Sequence, residues 1–131
     1  MIAQKFLDMY NSFLIIYNNL YSSQTAYKLF LLKKQLDEHY DFLISREQQL
    51  LSQYNGKIED NGKLNFVTQE EQQKFIDAHK ELSNIEINLP EIKIDMNLSE
   101  VTNNISPFDI ELLSNIINFS LIISLNALKL F

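Results

Sequence analysis

The sequence predicts a mainly α, α+β fold: a long antiparallel helical hairpin followed by a small β hairpin/strand pair, a short helix and a C-terminal helix. Three observations predict it. Apolar residues recur at steps of three and four through the N-terminal part, and residues 24–54 contain no Gly or Pro. Both glycines of the chain then fall close together, in Asn55-Gly56 and Asp60-Asn61-Gly62, each a turn signal. Finally, two later apolar runs open with capping sequences, Thr68-Gln69-Glu70-Glu71 and Ser106-Pro107-Phe108-Asp109.

The first helix is expected over residues 2–21. Ile2, Phe6, Tyr10, Phe13, Tyr17 and Leu20 stack on one face, widened by Leu7, Leu14 and Tyr21. Ser22-Ser23 supplies a break and an N-cap. The second helix runs from about Gln24 to Tyr54 along a near-heptad spine of Leu29, Leu36, Tyr40, Leu43, Leu50 and Tyr54. So short a link between two long helices favours antiparallel packing.

Lys57-Ile58-Glu59 and Lys63-Leu64-Asn65-Phe66-Val67 flank a glycine turn and read as a small hairpin. The helix capped at Thr68 carries Phe75, Ile76, His79 and Leu82 inward and ends near Asn84. Ile85, Ile87 and Leu89 alternate with polar residues as in a half-buried strand. Pro90 interrupts it, and alternation resumes out of phase at Ile92, Ile94, Met96 and Leu98, a bulge or edge-strand pattern. The last helix is expected from Pro107 to at least Phe119. These parts make one domain over 1–131: hairpin 1–54, a turn-rich α/β insertion 55–98, and a C-terminal helix with an apolar tail 99–131.

Composition narrows the function. The chain has 131 residues, 46% of them hydrophobic, enough for a core and too many for a disordered protein. It has no cysteine, which excludes disulfides, thiolate metal sites and thiol nucleophiles and fits a reducing compartment. The opening MIAQKFLDMYNSF carries Lys5 and Asp8 and lacks the pattern of a signal peptide. The net charge is −6, and beyond residue 80 only Lys93 and Lys129 face seven acids. With no basic stripe for phosphates, nucleic-acid binding is disfavoured. An acidic half either keeps the protein soluble or faces a basic partner. Heavy use of Asn, Ile and Lys points to an AT-rich genome.

Catalytic chemistry finds little footing. Only His39 and His79 offer imidazoles. In Glu38-His39-Tyr40-Asp41 the neighbours point to different faces, while Asp37 and Asp41 share a face that His39 avoids. His79 reads as a core or boundary residue beside Asp77. Glu59, Asp60, Glu70 and Glu71 sit around turns and a helix start, where the helix dipole alone favours acids. No phosphate loop, dinucleotide fingerprint, nucleophile elbow or H-E-x-x-H occurs. No catalytic residue, metal ligand or cofactor is assigned, and the chain is read as no enzyme. Glu47 stands within an apolar spine and is expected to mark register, pair with Arg46 or a lysine, or sit at the rim.

The candidate interface is aromatic and apolar. Tyr10, Tyr17, Tyr21 and Tyr27, with Tyr40 and Tyr54, lie on the two long helices, where tyrosine serves either helix packing or a protein contact. From Phe119 to Phe131 only Lys129 is charged, and Phe119, Leu121, Ile123, Leu125, Leu128 and Phe131 head the apolar set. Residues 112–131 have a membrane-spanning length, but Ser114, Asn115, Asn118, Ser120, Ser124 and Asn126 interrupt them and no basic cluster flanks them. A core helix, a tail buried in a neighbouring subunit and a membrane anchor all remain open.

From Tyr27 to Phe119 the order of features resembles a family of short phage-encoded proteins of unknown function, domain of unknown function 1617. The resemblance rests on Leu50-Leu51-Ser52-Gln53-Tyr54 closing a long helix, the acidic glycine turn Glu59-Asp60-Asn61-Gly62-Lys63, a short helix over Glu71 to Leu82, apolar strands over Ile85 to Leu98, and Ser106-Pro107-Phe108-Asp109. Residues 119–131 extend past the family's usual end. The resemblance implies a phage origin, hence a bacterial cytoplasm or a virion, and no activity. The expected role is therefore protein–protein contact, with a protein partner that includes the chain itself as a homo-oligomer. A virion or assembly component, a small inhibitor of a host defence or regulatory protein, and a membrane-associated protein anchored by 112–131 are the alternatives.

Overall fold

The computed structural model describes residues 1–102 and 104–120. In chain order it contains α1 (Ala3–Tyr17), α2 (Ser23–Gln53), β1 (Gly56–Ile58), β2 (Leu64–Phe66), α3 (Gln69–Ser83), β3 (Ile94–Asn97), a 3-10 turn (Leu98–Glu100), α4 (Pro107–Leu113) and β4 (Ile117–Ser120). The fold is mainly α with two small two-stranded sheets, the class the sequence predicts. Two compact units interleave along the chain. One joins Met1–Phe6 to Glu38–Ile87, and the other joins Leu7–Asp37 to the chain from Asn88 onward.

In the unit built on Glu38–Ile87, the C-terminal part of α2 buries Leu43 and Leu50, two members of the leucine heptad. Phe6 is fully buried, edge-on to His39 with ring centroids 5.8 Å apart. Strands β1 and β2 pair antiparallel with Gly56 opposite Phe66 and Ile58 opposite Leu64. Two positive φ angles make the bends, 57° at Asn55 and 81° at Gly62. The expected cap of α3 is present, with the Glu71 amide donating to the Thr68 hydroxyl at 3.1 Å. Phe75 is buried and sets its ring 5.2 Å from that of Phe66, which holds α3 to the hairpin.

Beyond α3 the structure departs from expectation. Residues 85–89 make no regular strand. They form one antiparallel bridge, Glu86 opposite Ile2, with the Ala3 amide on the Ile85 carbonyl at 2.9 Å and the Ile87 amide on the Met1 carbonyl at 2.7 Å. Pro90, with no amide hydrogen to donate, bars continuation of the ladder toward Leu89 and beyond.

In the unit built on Leu7–Asp37, α1 and α2 run antiparallel. Tyr17 lies beneath the Lys33 ammonium at 5.5 Å, while Tyr10 meets Asp37, so the numbers fall on one helix as they rise on the other. The core gathers Met9, Phe13 and Ile16 of α1, Leu29, Leu32 and Leu36 of α2, and Met96, Leu112, Leu113, Ile116 and Ile117. The first helix is shorter than expected. It stops at Tyr17, leaving Leu20 in the link, 96% exposed and off the apolar face to which periodicity assigned it. Ser22 caps α2 as expected, accepting from the Thr25 amide at 3.3 Å.

The last helix is also shorter, ending at Leu113 rather than Phe119. Its start is the expected capping box, Ser106 and Asp109 exchanging side-chain and backbone bonds behind Pro107. Its end is set by polar side chains that compete for the helix carbonyls. Ser114 Oγ donates to the Ile110 carbonyl at 2.7 Å and Asn115 Nδ2 to that of Leu112 at 2.8 Å. The β-branched pair Ile116-Ile117 then favours extended backbone. Strand β4 pairs parallel with β3, Ile94 opposite Ile117 and Met96 opposite Phe119. Among the described residues no helix is long and apolar enough to cross a membrane.

Candidate functional site

Two exposed features stand out, one in each unit. The first is a cleft of about 320 Å³ in the unit built on Glu38–Ile87, lined by Glu47, Gln48, Leu51, Ile58, Leu64, Phe75 and His79. Helical spacing assembles it: Glu47 and Leu51 lie one turn apart on α2, and so do Phe75 and His79 on α3. Ile58 and Leu64, cross-strand partners on the hairpin, form its outer lip, with Ile58 66% exposed. Gly56 lets the hairpin approach α2. A Cβ there would collide with Leu51 and come within 2.6 Å of the Phe66 ring.

The polar end of this cleft is a single pair, His79 Nε2 2.8 Å from Glu47 Oε2. Glu47 thus finds a histidine rather than Arg46 or a lysine. Both side chains are more than a third exposed, so the pair is a rim contact of small energetic weight. Acid–base chemistry needs a substrate-facing base held by a third group, and the cleft lining contains one carboxylate and no hydroxyl nucleophile. Among the described residues no group of three or more His, Asp or Glu is placed to hold a metal ion. His39, the other imidazole, packs on Phe6. Glu70 pairs with Lys74 at 3.2 Å and Glu71 accepts from Asn55 at 2.5 Å, so both acids serve the start of α3.

The second feature is an aromatic stripe on the N-terminal half of α2. Tyr27 is 61% exposed, Phe30 45% and Leu31 42%, while Leu29, Leu32 and Leu36 turn inward. Spacings of three and four set these residues on one line, with Lys34 at its end. Tyr27 and Phe30 stack with centroids 6.4 Å apart, and the Lys34 ammonium lies 5.2 Å above the Phe30 ring. Lys28 flanks the stripe.

Of the residues expected at an interface, Tyr27 alone among the tyrosines is prominently exposed. Tyr10 is 5% exposed and donates its hydroxyl to Asp37 Oδ1 at 2.6 Å, opposite a Lys33 bond to Oδ2 at 2.8 Å. Burial pushes the Asp37 carboxyl up, but the bonds from Lys33 and Tyr10 and the Lys33 charge outweigh it and hold the group below the usual range. Tyr17 is half-buried against Phe13, ring centroids 5.6 Å apart. Tyr21 is half-buried too, donating to the Ile16 carbonyl at 2.5 Å and accepting from Asn19. Burial raises its phenol, an effect the Asn19 bond opposes and the nearby Glu100 charge reinforces. Phe119 is half-buried on β4. Leu121, Ile123, Leu125, Leu128 and Phe131 lie outside the described residues.

Phe30 and Leu31 escape a search for tyrosines, though a second apolar period beside the leucine heptad marks them. The cleft has no such signal, because it gathers residues from two helices and a hairpin. No family model, no curated protein and no solved structure matches this chain.

Proposed function

We propose that this chain is a non-enzymatic protein of phage or mobile-element origin that acts by protein–protein contact, as a virion or assembly component associating with copies of itself. The observation that carries this reading is the aromatic stripe on α2. Stacked, exposed aromatic residues are the composition of an interface core rather than of an ordinary helix surface. The order of features from Tyr27 to Phe119 and the heavy use of Asn, Ile and Lys, as in products of AT-rich genomes, support the origin. Sedimentation velocity across micromolar concentrations tests the reading: a mass that rises with concentration is expected, and a strict monomer overturns it.

A second reading is an inhibitor of a host defence or regulatory protein. It draws on the exposed acids Glu81, Glu86, Glu91, Asp95 and Glu111, which stand with few bases in the last third of the chain. Reversing Glu86 and Glu91 to lysine distinguishes the two. Self-association is expected to persist in that variant, whereas capture of a basic host protein would be lost.

A further inference from the structure

Resting on self-association, we propose that the contact is head-to-tail: the Tyr27–Phe30–Leu31 stripe of one copy docks in the Glu47–His79 cleft of the next. Each feature has what the other lacks. The cleft offers apolar walls from Leu51, Ile58 and Leu64 and is open enough for aromatic side chains, with a volume near the lower end of ligand pockets, about 300 Å³. The stripe offers exposed aromatic side chains, Tyr27 61% and Phe30 45% accessible, beside the similarly exposed Leu31.

Charge sets the pairing. Glu47 carries the one formal negative charge on the cleft lining, and no lysine or arginine lines it. The stripe is flanked by Lys28 and ends in Lys34, both exposed. Stripe against stripe would bring lysines together, and cleft against cleft would oppose two carboxylates, each unfavourable at close range. Stripe against cleft places Lys34 near Glu47. The apolar contact supplies the affinity, and the rim pair fixes the orientation. A single contact between unlike surfaces uses the stripe of one copy and the cleft of the other, which leaves one stripe and one cleft of the pair unengaged for further copies to fill. That growth is the behaviour of an assembly part.

Two variants test it. Phe30→Asp spoils the stripe and keeps the cleft; Ile58→Glu spoils the cleft lip and keeps the stripe. Circular dichroism first checks that each retains its helices, and Glu47→Lys replaces Ile58→Glu if the hairpin variant does not. In sedimentation each variant alone is expected to associate at least tenfold more weakly than the wild type. Mixed in equal amounts, they are expected to form a 1:1 dimer that grows no further, because only one intact stripe and one intact cleft remain. A mixture that stays monomeric while the wild type associates overturns head-to-tail docking and leaves self-association standing. Either variant associating as well as the wild type also overturns it. A monomeric wild type removes both readings.

Discussion

At the scale of single residues, Asp109 ties two distant parts of the chain. Its carboxylate accepts from the Ser12 hydroxyl at 2.6 Å and from the Ser106 amide and hydroxyl at 3.0 and 2.9 Å. The Ser12 bond first, then the Ser106 amide, hold it below the usual carboxylate range against the opposing effect of burial. A depressed folded value means that the carboxylate stabilises the fold above its unfolded pKa, about 3.9, and that this contribution is lost as pH falls through the lower folded value. Asp37 acts in the same direction. Urea midpoints are therefore expected to fall below about pH 4, and Asp109→Asn to lower the midpoint at neutral pH while flattening that acid fall. An unchanged acid slope would assign the effect to other groups. Ser12→Ala leaves the capping box in place and is expected to cost about 1 kcal/mol, read from the same curves. The cap at Asp109 is legible in four consecutive letters. Its bond to Ser12 is not, because 97 positions separate the two. Gly56 is similar: its sequence marks a turn, but its tightest constraint is the approach of Leu51 and Phe66. Gly56→Ala is expected to cost about 1–3 kcal/mol by overpacking, measured by thermal unfolding.

At the scale of elements, α2 shows how far periodicity reaches. Leu29, Leu36, Leu43 and Leu50 recur every seven residues and all four are buried, so the sequence pattern identifies the inward face. The outward face follows a second period through Tyr27, Phe30 and Leu31, and it separates stability from association. Leu36→Ala removes a fully buried side chain and is expected to cost about 3 kcal/mol. Phe30→Ala is expected to cost under about 1 kcal/mol of stability while weakening self-association. Unfolding and sedimentation on the two variants check this, and comparable stability losses in both would make the stripe a packing surface. Periodicity fails where tertiary partners decide. Ile110, Leu113, Ile116 and Ile117 keep helical spacing past Leu113, yet Ser114 and Asn115 close the helix and β3 recruits the next residues. Ile85 to Leu89 keep strand spacing but, among the described residues, form a single bridge, Glu86 to Ile2, before Pro90. A strand pattern states that one face is apolar; it does not supply a neighbour.

At the scale of the whole molecule, residue order conceals that each compact unit joins segments from far apart, such as Met1–Phe6 with Glu38–Ile87. It reveals charge directly, and charge bears on association. Every copy carries a net −6, so copies repel one another at low salt. Against this, a Lys34–Glu47 contact at an exposed rim contributes about 0–1 kcal/mol. Added sodium chloride screens both, since the Debye length falls from about 10 Å at 0.1 M to about 3 Å at 1 M. The long-range repulsion sums over the whole charge, while the attraction is one rim pair, and apolar burial between stripe and cleft is not screened. Self-association is therefore expected to tighten as salt rises over that range, by about fivefold, or about 1 kcal/mol. Sedimentation equilibrium at the two salt concentrations measures it. Phe30→Asp should show little association at either. A tenfold loss of affinity in high salt would mean that ion pairs, rather than apolar burial between stripe and cleft, hold the copies together, and would overturn the aromatic stripe as the contact.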